Sequence, residues 1–244
     1  MGTSTRGHAG GSTTAGRLVV GLDGTTKGWV AIILADGRFC SAKTFAKAGD
    51  AIAAYPEAQF FGIDIPIGFP PDAPKRKADT LARELLKERR DCCFFAPPLS
   101  ILRASSAKKQ GAEKRRLGAK PSPFAWGLKK KILEVDDLVV EHGVRLREVH
   151  PEVSFREMNN GQPVRHKKKS WTGIMIRRRL LKEQGIELPD QIELDQHAGP
   201  DDILDAAAAA WTAWRCASRA TGLYSVPAKR EAELDRGRPV AIWV

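Results

Sequence analysis

Two apolar runs in this chain each carry an aspartate where a buried strand would end. In RLVVGLD (17–23) it is Asp23, and in QFFGIDIP (59–66) it is Asp64. Short apolar runs bounded by turn residues read as buried strands. An ionised carboxylate taken out of water costs on the order of several kcal/mol unless a partner offsets it. Any fold that uses both runs as strands must neutralise these two acids or supply them with a cation, and this requirement constrains the chain more than its composition does.

The surrounding pattern supplies the rest of a sheet. GWVAIILA (28–35) reads as a second strand, joined to the first through GTTK with Gly24 and Gly28 at the turns. FCSAKTF (39–45) is a third strand, AGDAIAAYPE (48–57) a short amphipathic helix, and 59–66 the fourth strand. The segment 72–143 differs in character. KRKADTLARELLKER is helical with Leu81, Leu85 and Leu86 along one face; CCFFAPPLSIL and a Lys-rich stretch follow, and a second helical pattern closes at Gly143. VRLREVHP (144–151) alternates as a fifth strand. WTGIMIRRRLLKEQG is a helix stopped by Gly185, and Pro200 and Asp201 open an Ala-rich helix, DDILDAAAAAWTAWRCASRATG, that ends at Gly222. The terminal PVAIWV fits an added strand. This order predicts an α/β fold with an antiparallel beginning. Residues 17–244 form one domain with 72–143 as a helical, basic insertion, and the Gly/Ser/Thr-rich residues 1–16 form a flexible tail.

A length of 244 residues, 42% of them hydrophobic, suits one such domain with a substantial core. No apolar run reaches the roughly 18 residues of a membrane span. Cys40, Cys92, Cys93 and Cys216 lack paired spacing, so buried reduced thiols and a cytoplasmic location are expected. The net charge is +11, and it is concentrated: Lys75 to Lys131 holds 17 Lys and Arg against 5 Asp and Glu, a balance of +12. A second cluster at 165–182 adds eight Lys and Arg and no acid. Such concentration suggests a polyanionic partner, nucleic acid first among them, although a solubilising surface would carry the same charge. Arg76, Arg83, Lys129, Lys130, Lys167, Lys168 and Lys169 are the residues expected to grip a backbone, and Phe94, Phe95 and Trp126 lie among the cations as stacking candidates or core. Oligomeric state is left open.

The acids fall on the elements so read. Strand alternation puts Leu146, Glu148 and His150 on one face of the fifth strand, with Glu152 next in the HPE tripeptide. In the Ala-rich helix Asp202 and Asp205 are three apart and share a face. If the first and fourth strands are neighbours, Asp23 and Asp64 approach closely, and two bare charges about 4 Å apart repel by ~4 kcal/mol at an effective dielectric near 20. Raised pKa values or a bound divalent cation relieve that repulsion, and oxygen-only ligation favours Mg²⁺ or Mn²⁺. Each acid also has a plainer use: Asp23 before Gly24 as a turn, Asp64 before Pro66 as a strand-end cap, Asp202 at the helix dipole, and His150 as an ordinary buried histidine.

The stretches GLDGTTKGW, GIDIPIGFP, RKADTLAR, KILEVD, EVHPEVSF and DDILDAAAAAW, in that order, resemble domain-of-unknown-function family 429, whose members are predicted nucleases of the RNase H-like superfamily. The resemblance implies a five-stranded mixed sheet of order 3-2-1-4-5 with helices on both sides. It implies that Asp23, Asp64 and Asp205, with Asp202 beside them, hold two divalent ions for phosphodiester hydrolysis, one activating water and the other stabilising the leaving oxygen. It also brings Glu148, His150 and Glu152 to the site as the family's HPE motif. GLDGTTKG is similar as well to the phosphate hairpin of sugar kinases and actin-like ATPases, which makes an ATP-binding phosphotransferase-like protein one alternative. A nucleic-acid-binding module without catalysis is the other.

Overall fold

In the computed structural model, residues 16–143, 145–194 and 197–244 are described; the tail expected at 1–16 lies almost wholly outside them. The apolar first run forms β1 (Leu18–Gly24), paired antiparallel to β2 (Trp29–Ala35) with Leu22 opposite Ala31. Asp36 and Gly37, both at positive φ, turn the chain into β3 (Arg38–Phe45), where exposed and half-buried residues mark an edge strand. After α1 (Ala48–Ala54), β4 (Phe60–Ile63) lies parallel to β1, with Gly62 opposite Gly21 and Ile63 opposite Leu22. β5 (Leu146–Glu148) adds parallel to β4. The sheet order is β3-β2-β1-β4-β5, as expected.

Between β4 and β5 come α2 (Lys77–Leu86), α3 (Leu99–Leu102), α4 (Ala107–Leu117), α5 (Pro123–Gly127) and α6 (Lys129–His142). Beyond β5 lie α7 (Pro151–Met158), α8 (Trp171–Glu183) and α9 (Pro200–Ser218). The short strands β6 (Ser225–Val226), β7 (Leu234–Asp235), β8 (Arg238–Pro239) and β9 (Ile242–Trp243) finish the chain. β9, within the terminal PVAIWV, pairs with β6 in a separate two-stranded sheet, and a single bridge from Trp243 to Val149 links it to the residue after β5. Two expectations need correction. The fifth strand stops at Glu148, and His150 is the cap residue of α7, a helix the alternating pattern concealed. Proline at the first helical position and Glu152 in the first turn are the local reasons that the chain turns helical there. All four cysteines are free, but only Cys93 and Cys216 are buried; Cys40 lies on the edge strand and Cys92 in the turn after α2.

The two faces of the sheet are covered differently. Val20, Leu22, Ala31 and Ile33 pack with Ala51 and Ile52 of α1 and with Ile132, Val135 and Val139 of α6. The last helix of the insertion is therefore part of the core rather than an appendage. On the opposite face Val19, Val30, Ile32 and Leu34 meet α9, backed by Phe155 and by Leu180 and Leu181 of α8. Here the approach is backbone to backbone. A Cβ on Gly21 would lie 2.1 Å from the Ala206 carbonyl oxygen, and one on Gly62 would lie 2.1 Å from that of Ala209. Only glycine on the strands and alanine on the helix permit this spacing. Among the described residues no helix is long and apolar enough to cross a membrane.

Gly62→Ala tests this contact. Overpacking costs about 1–3 kcal/mol and occasionally more, and here the obstacle is helix backbone rather than a yielding side chain. The urea midpoint of unfolding is expected to fall by the upper part of that range; an unchanged midpoint would mean that α9 has room to lift from β4.

Candidate metal centre

Two residues beyond the paired glycines Gly21 and Gly62 stand Asp23 and Asp64, and strand alternation sends both carboxylates to the α9 side of the sheet. Asp64 directly follows β4, and its N–H donates to the Leu22 carbonyl at 3.0 Å. On the helix, Asp205 immediately precedes Ala206, the residue lying against Gly21. The close approach of α9 thus delivers the third acid: ligand oxygens of Asp23, Asp64 and Asp205 lie within 4.8 Å of one another. Asp23 and Asp205 are buried, at 6% and 2% exposure, and Asp64 is half-buried.

The cluster is short of positive charge. Lys168 alone enters it closely, its Nζ donating to Asp205 Oδ2 at 2.5 Å and lying 3.6 Å from Asp201 Oδ2. Burial raises the Asp23 pKa well above the ordinary carboxylate range, with Asp64 and Asp205 adding to the effect. Burial and then Asp205 push Asp64 to about 8. Burial carries Asp205 to about 6 in spite of Lys168. Burial opposes the Lys168 charge, but Asp205, Asp23 and Asp64 outweigh it and raise the lysine's pKa. Asp205 Oδ1 and Asp201 Oδ2 are buried without a hydrogen-bond partner. Orphaned carboxylate oxygens in an oxygen-only donor set fit a hard divalent cation such as Mg²⁺ or Mn²⁺.

Two further acids on α9 lie near the centre, and the charge of Asp202 adds to the rise of the Asp23 pKa. Asp202 Oδ2 accepts from the Gly199 N–H at 2.9 Å and serves the helix start. Asp201, a full turn before Asp205, shares Lys168 with it. The HPE segment is likewise diverted. Both oxygens of Glu148 accept from Arg76 (2.6 and 2.8 Å), and Oε2 also takes the Ile67 N–H at 2.6 Å. Arg76 further bonds Asp79 and the carbonyl of Gly68, and Asp79 accepts from the Ala96 N–H. This buried network fastens the loop that follows Asp64. Glu152 accepts twice from Arg177, at 2.6 and 2.8 Å, and Arg177 also donates to the carbonyls of His166 and Gly173. His150 Nδ1 is buried without a partner, and burial lowers the pKa of the ring.

The cations sort in the same way. Arg76, expected at a nucleic-acid surface, is 3% exposed and occupied as described. Arg83 is largely turned inward, donating to the Arg90 and Cys93 carbonyls and lying over the Phe95 ring. Lys129 lies over the half-buried Trp126, 5.1 Å from its centroid. Phe94 meets Phe124 edge-on and is half-buried, as is Phe95. Lys130, Lys167 and Lys169 are exposed. Lys131, absent from the expected set, reaches the hairpin beside Asp23 and donates to the Gly28 carbonyl at 2.5 Å. Arg177 was legible in principle: with Gly173, Leu180 and Leu181 it occupies the buried stripe of α8 at helical spacing.

Fold and site together define an α/β protein with a buried carboxylate triad where β1, β4 and α9 converge. A family model described as "Protein of unknown function (DUF429)" matches residues 21–232, and the chain belongs to that family. No curated protein and no solved structure matches it.

Asp23, Asp64 and Asp205 keep their protons to higher pH when folded than the ordinary value near 4 in the unfolded chain. The unfolded state therefore binds fewer protons between about pH 4 and 8, and stability falls as pH rises through that window. The metal-free protein is expected to melt progressively lower from pH 5 to 8, with Asp64→Asn flattening the decline and melting above wild type at pH 8. A mutant no more stable at pH 8 would contradict the charge crowding. Arg177→Met strands Glu152 in the interior and is expected to cost about 3–5 kcal/mol; a loss below 1 kcal/mol in urea unfolding would show that the pair is dispensable.

Proposed function

We propose that this protein is a divalent-metal-dependent nuclease that hydrolyses phosphodiester bonds of nucleic acid. The observation that carries this reading is the meeting of three carboxylates, from two parallel strand ends and one helix, with a buried oxygen left over and a single close lysine. Bound Mg²⁺ or Mn²⁺ would neutralise the crowded acids and supply the Lewis acid that phosphodiester hydrolysis needs. Asp23, Asp64 and Asp205 would hold the cations. The Arg76–Glu148 pair keeps the loop after Asp64 in place, and the Arg177–Glu152 pair anchors the segment that carries Lys168.

The distribution of cations supports a polyanionic substrate. Lys131 stands on the Asp23 side of the triad, with Lys130 exposed next to it on α6. Lys167 and Lys169 are exposed on the Asp205 side. Such contacts give affinity without sequence readout and a strong dependence on salt. The ATP-binding alternative is less well supported. Within the GTTK turn, Thr25 N–H donates to the Gly28 carbonyl and Gly28 N–H to the Thr25 hydroxyl, so these two amides are already spent. The described residues also contain a single five-stranded sheet, without the second domain that a phosphate clamp requires.

The test is a panel of labelled single-stranded DNA, duplex DNA and RNA incubated with Mg²⁺ or Mn²⁺. Cleavage is expected with at least one substrate and is expected to fall more than about 100-fold in Asp64→Asn and Asp205→Asn, beyond what loss of a supporting group costs. Undiminished cleavage by folded Asp64→Asn would reject the site. Retarded but uncut substrates under every metal would indicate a binding module.

A further inference from the structure

Of the described tryptophans, Trp29 is fully buried and Trp211 is 6% exposed, whereas Trp171 is 76% exposed. It is the first residue of α8, and its position is well secured. Ser170 Oγ accepts from the Gly173 N–H and donates to the Lys167 carbonyl, at 3.1 and 2.8 Å. A Cβ on Gly173 would lie 2.0 Å from that same carbonyl, so the 167–170 segment is folded directly onto the helix start. Arg177, buried beneath, holds the His166 carbonyl at 3.2 Å. The indole is thus an exposed apolar plate on a firm base, and Met175, one turn on and 41% exposed, extends the same patch.

What surrounds this plate selects its partner. Arg165, Lys167, Lys169 and Arg179 are exposed, and no Asp or Glu occurs between 165 and 182, although Arg165 and Arg179 lie 3.8 and 3.5 Å from carboxylate oxygens of Glu88 and Glu183. The same segment reaches the carboxylate triad, since Lys168 donates to Asp205 and Lys169 Nζ lies 3.6 Å from Asp201 Oδ2. Three residues of chain span at most about 10 Å, so the backbone of Trp171 lies within that distance of Lys168, whose side chain reaches Asp205. An exposed aromatic face on a secured stretch of backbone, set among cations, suits a polyanion that also presents flat apolar faces, and an unpaired nucleotide strand has both. A duplex keeps its bases stacked inside and offers this indole only phosphates.

We propose that Trp171 is a stacking platform for an unpaired base, and that the strand delivered to Asp23, Asp64 and Asp205 is single-stranded or splayed there. This rests on the nucleic-acid reading of the site. The test measures binding by the full chain without metal, using fluorescence anisotropy of a labelled DNA single strand and of its blunt duplex at one salt concentration. The single strand is expected to bind more tightly and to quench tryptophan emission. Trp171→Ala is expected to weaken single-strand binding about 5- to 100-fold, the range for loss of one base–aromatic stack. Duplex binding should change little, and Trp171→Phe should retain most of the affinity. Equal effects on both ligands, or none, in an alanine variant that melts like wild type would overturn the platform while leaving the nuclease reading intact. Failure of the wild type to bind either ligand would overturn both. Concentration-dependent self-association that Trp171→Ala abolishes, seen by ultracentrifugation with no change in DNA affinity, would reassign the patch to a protein interface.

Discussion

The structure depends on the seating of α9 directly on the backbones of β1 and β4. Gly21 and Gly62 are paired across the two strands, and Ala206, Ala209 and Ala210 present nothing larger than a methyl group to them. Close packing of this kind tolerates little added volume. It also sets the chemistry: Asp23 and Asp64 follow the glycines by two residues, and Asp205 precedes the first of those alanines. One steric relation therefore buries the helix, closes the sheet face and gathers the acids. A helix standing a side chain's thickness further out would leave Asp205 away from the strand ends.

That arrangement is electrostatically costly, and the surrounding structure is organised around the cost. Two buried arginines, Arg76 and Arg177, each pair with a glutamate of the HPE region and each also hold backbone carbonyls. They provide rigidity first, since neither is bonded to Asp23, Asp64 or Asp205, although the Arg177 charge also acts to lower the Asp205 pKa. Lys168 is different: a tethered ammonium from a half-exposed segment, it partly offsets a charge that the scaffold leaves unbalanced. Buried ion pairs of the first kind hold geometry. A cluster with surplus negative charge and orphaned oxygens has the donor chemistry that a bound cation would need.

The element order, the mixed sheet and two of the acids at its centre, Asp23 and Asp64, were legible because each rests on a local signal: apolar runs, glycine and proline stops, and an aspartate closing an apolar strand. Asp205 entered through the family resemblance. The errors share a cause. Glu148 and His150 fit an alternating strand up to the proline, and a short pattern cannot show that Pro151 starts a helix. Asp201, which shares Lys168 with Asp205, stays hidden in the sequence because Asp202 satisfies helical spacing with Asp205 equally well. Arg76 and Arg83 look like surface cations within a basic stretch, yet the insertion folds back and buries one of them almost completely. Trp171 lies inside an apolar helical pattern that gives no sign of its exposure.

By itself, then, the sequence determined which elements form, where they stop, and that two strand-borne acids require a partner, because propensity, periodicity and the cost of a buried charge act locally. Only the tertiary structure decided which acids share a centre, which arginines are scaffolding and which aromatic faces solvent. Those outcomes depend on how α9, the insertion and the 165–170 segment pack against one another, and packing between distant segments leaves no periodic trace in the chain.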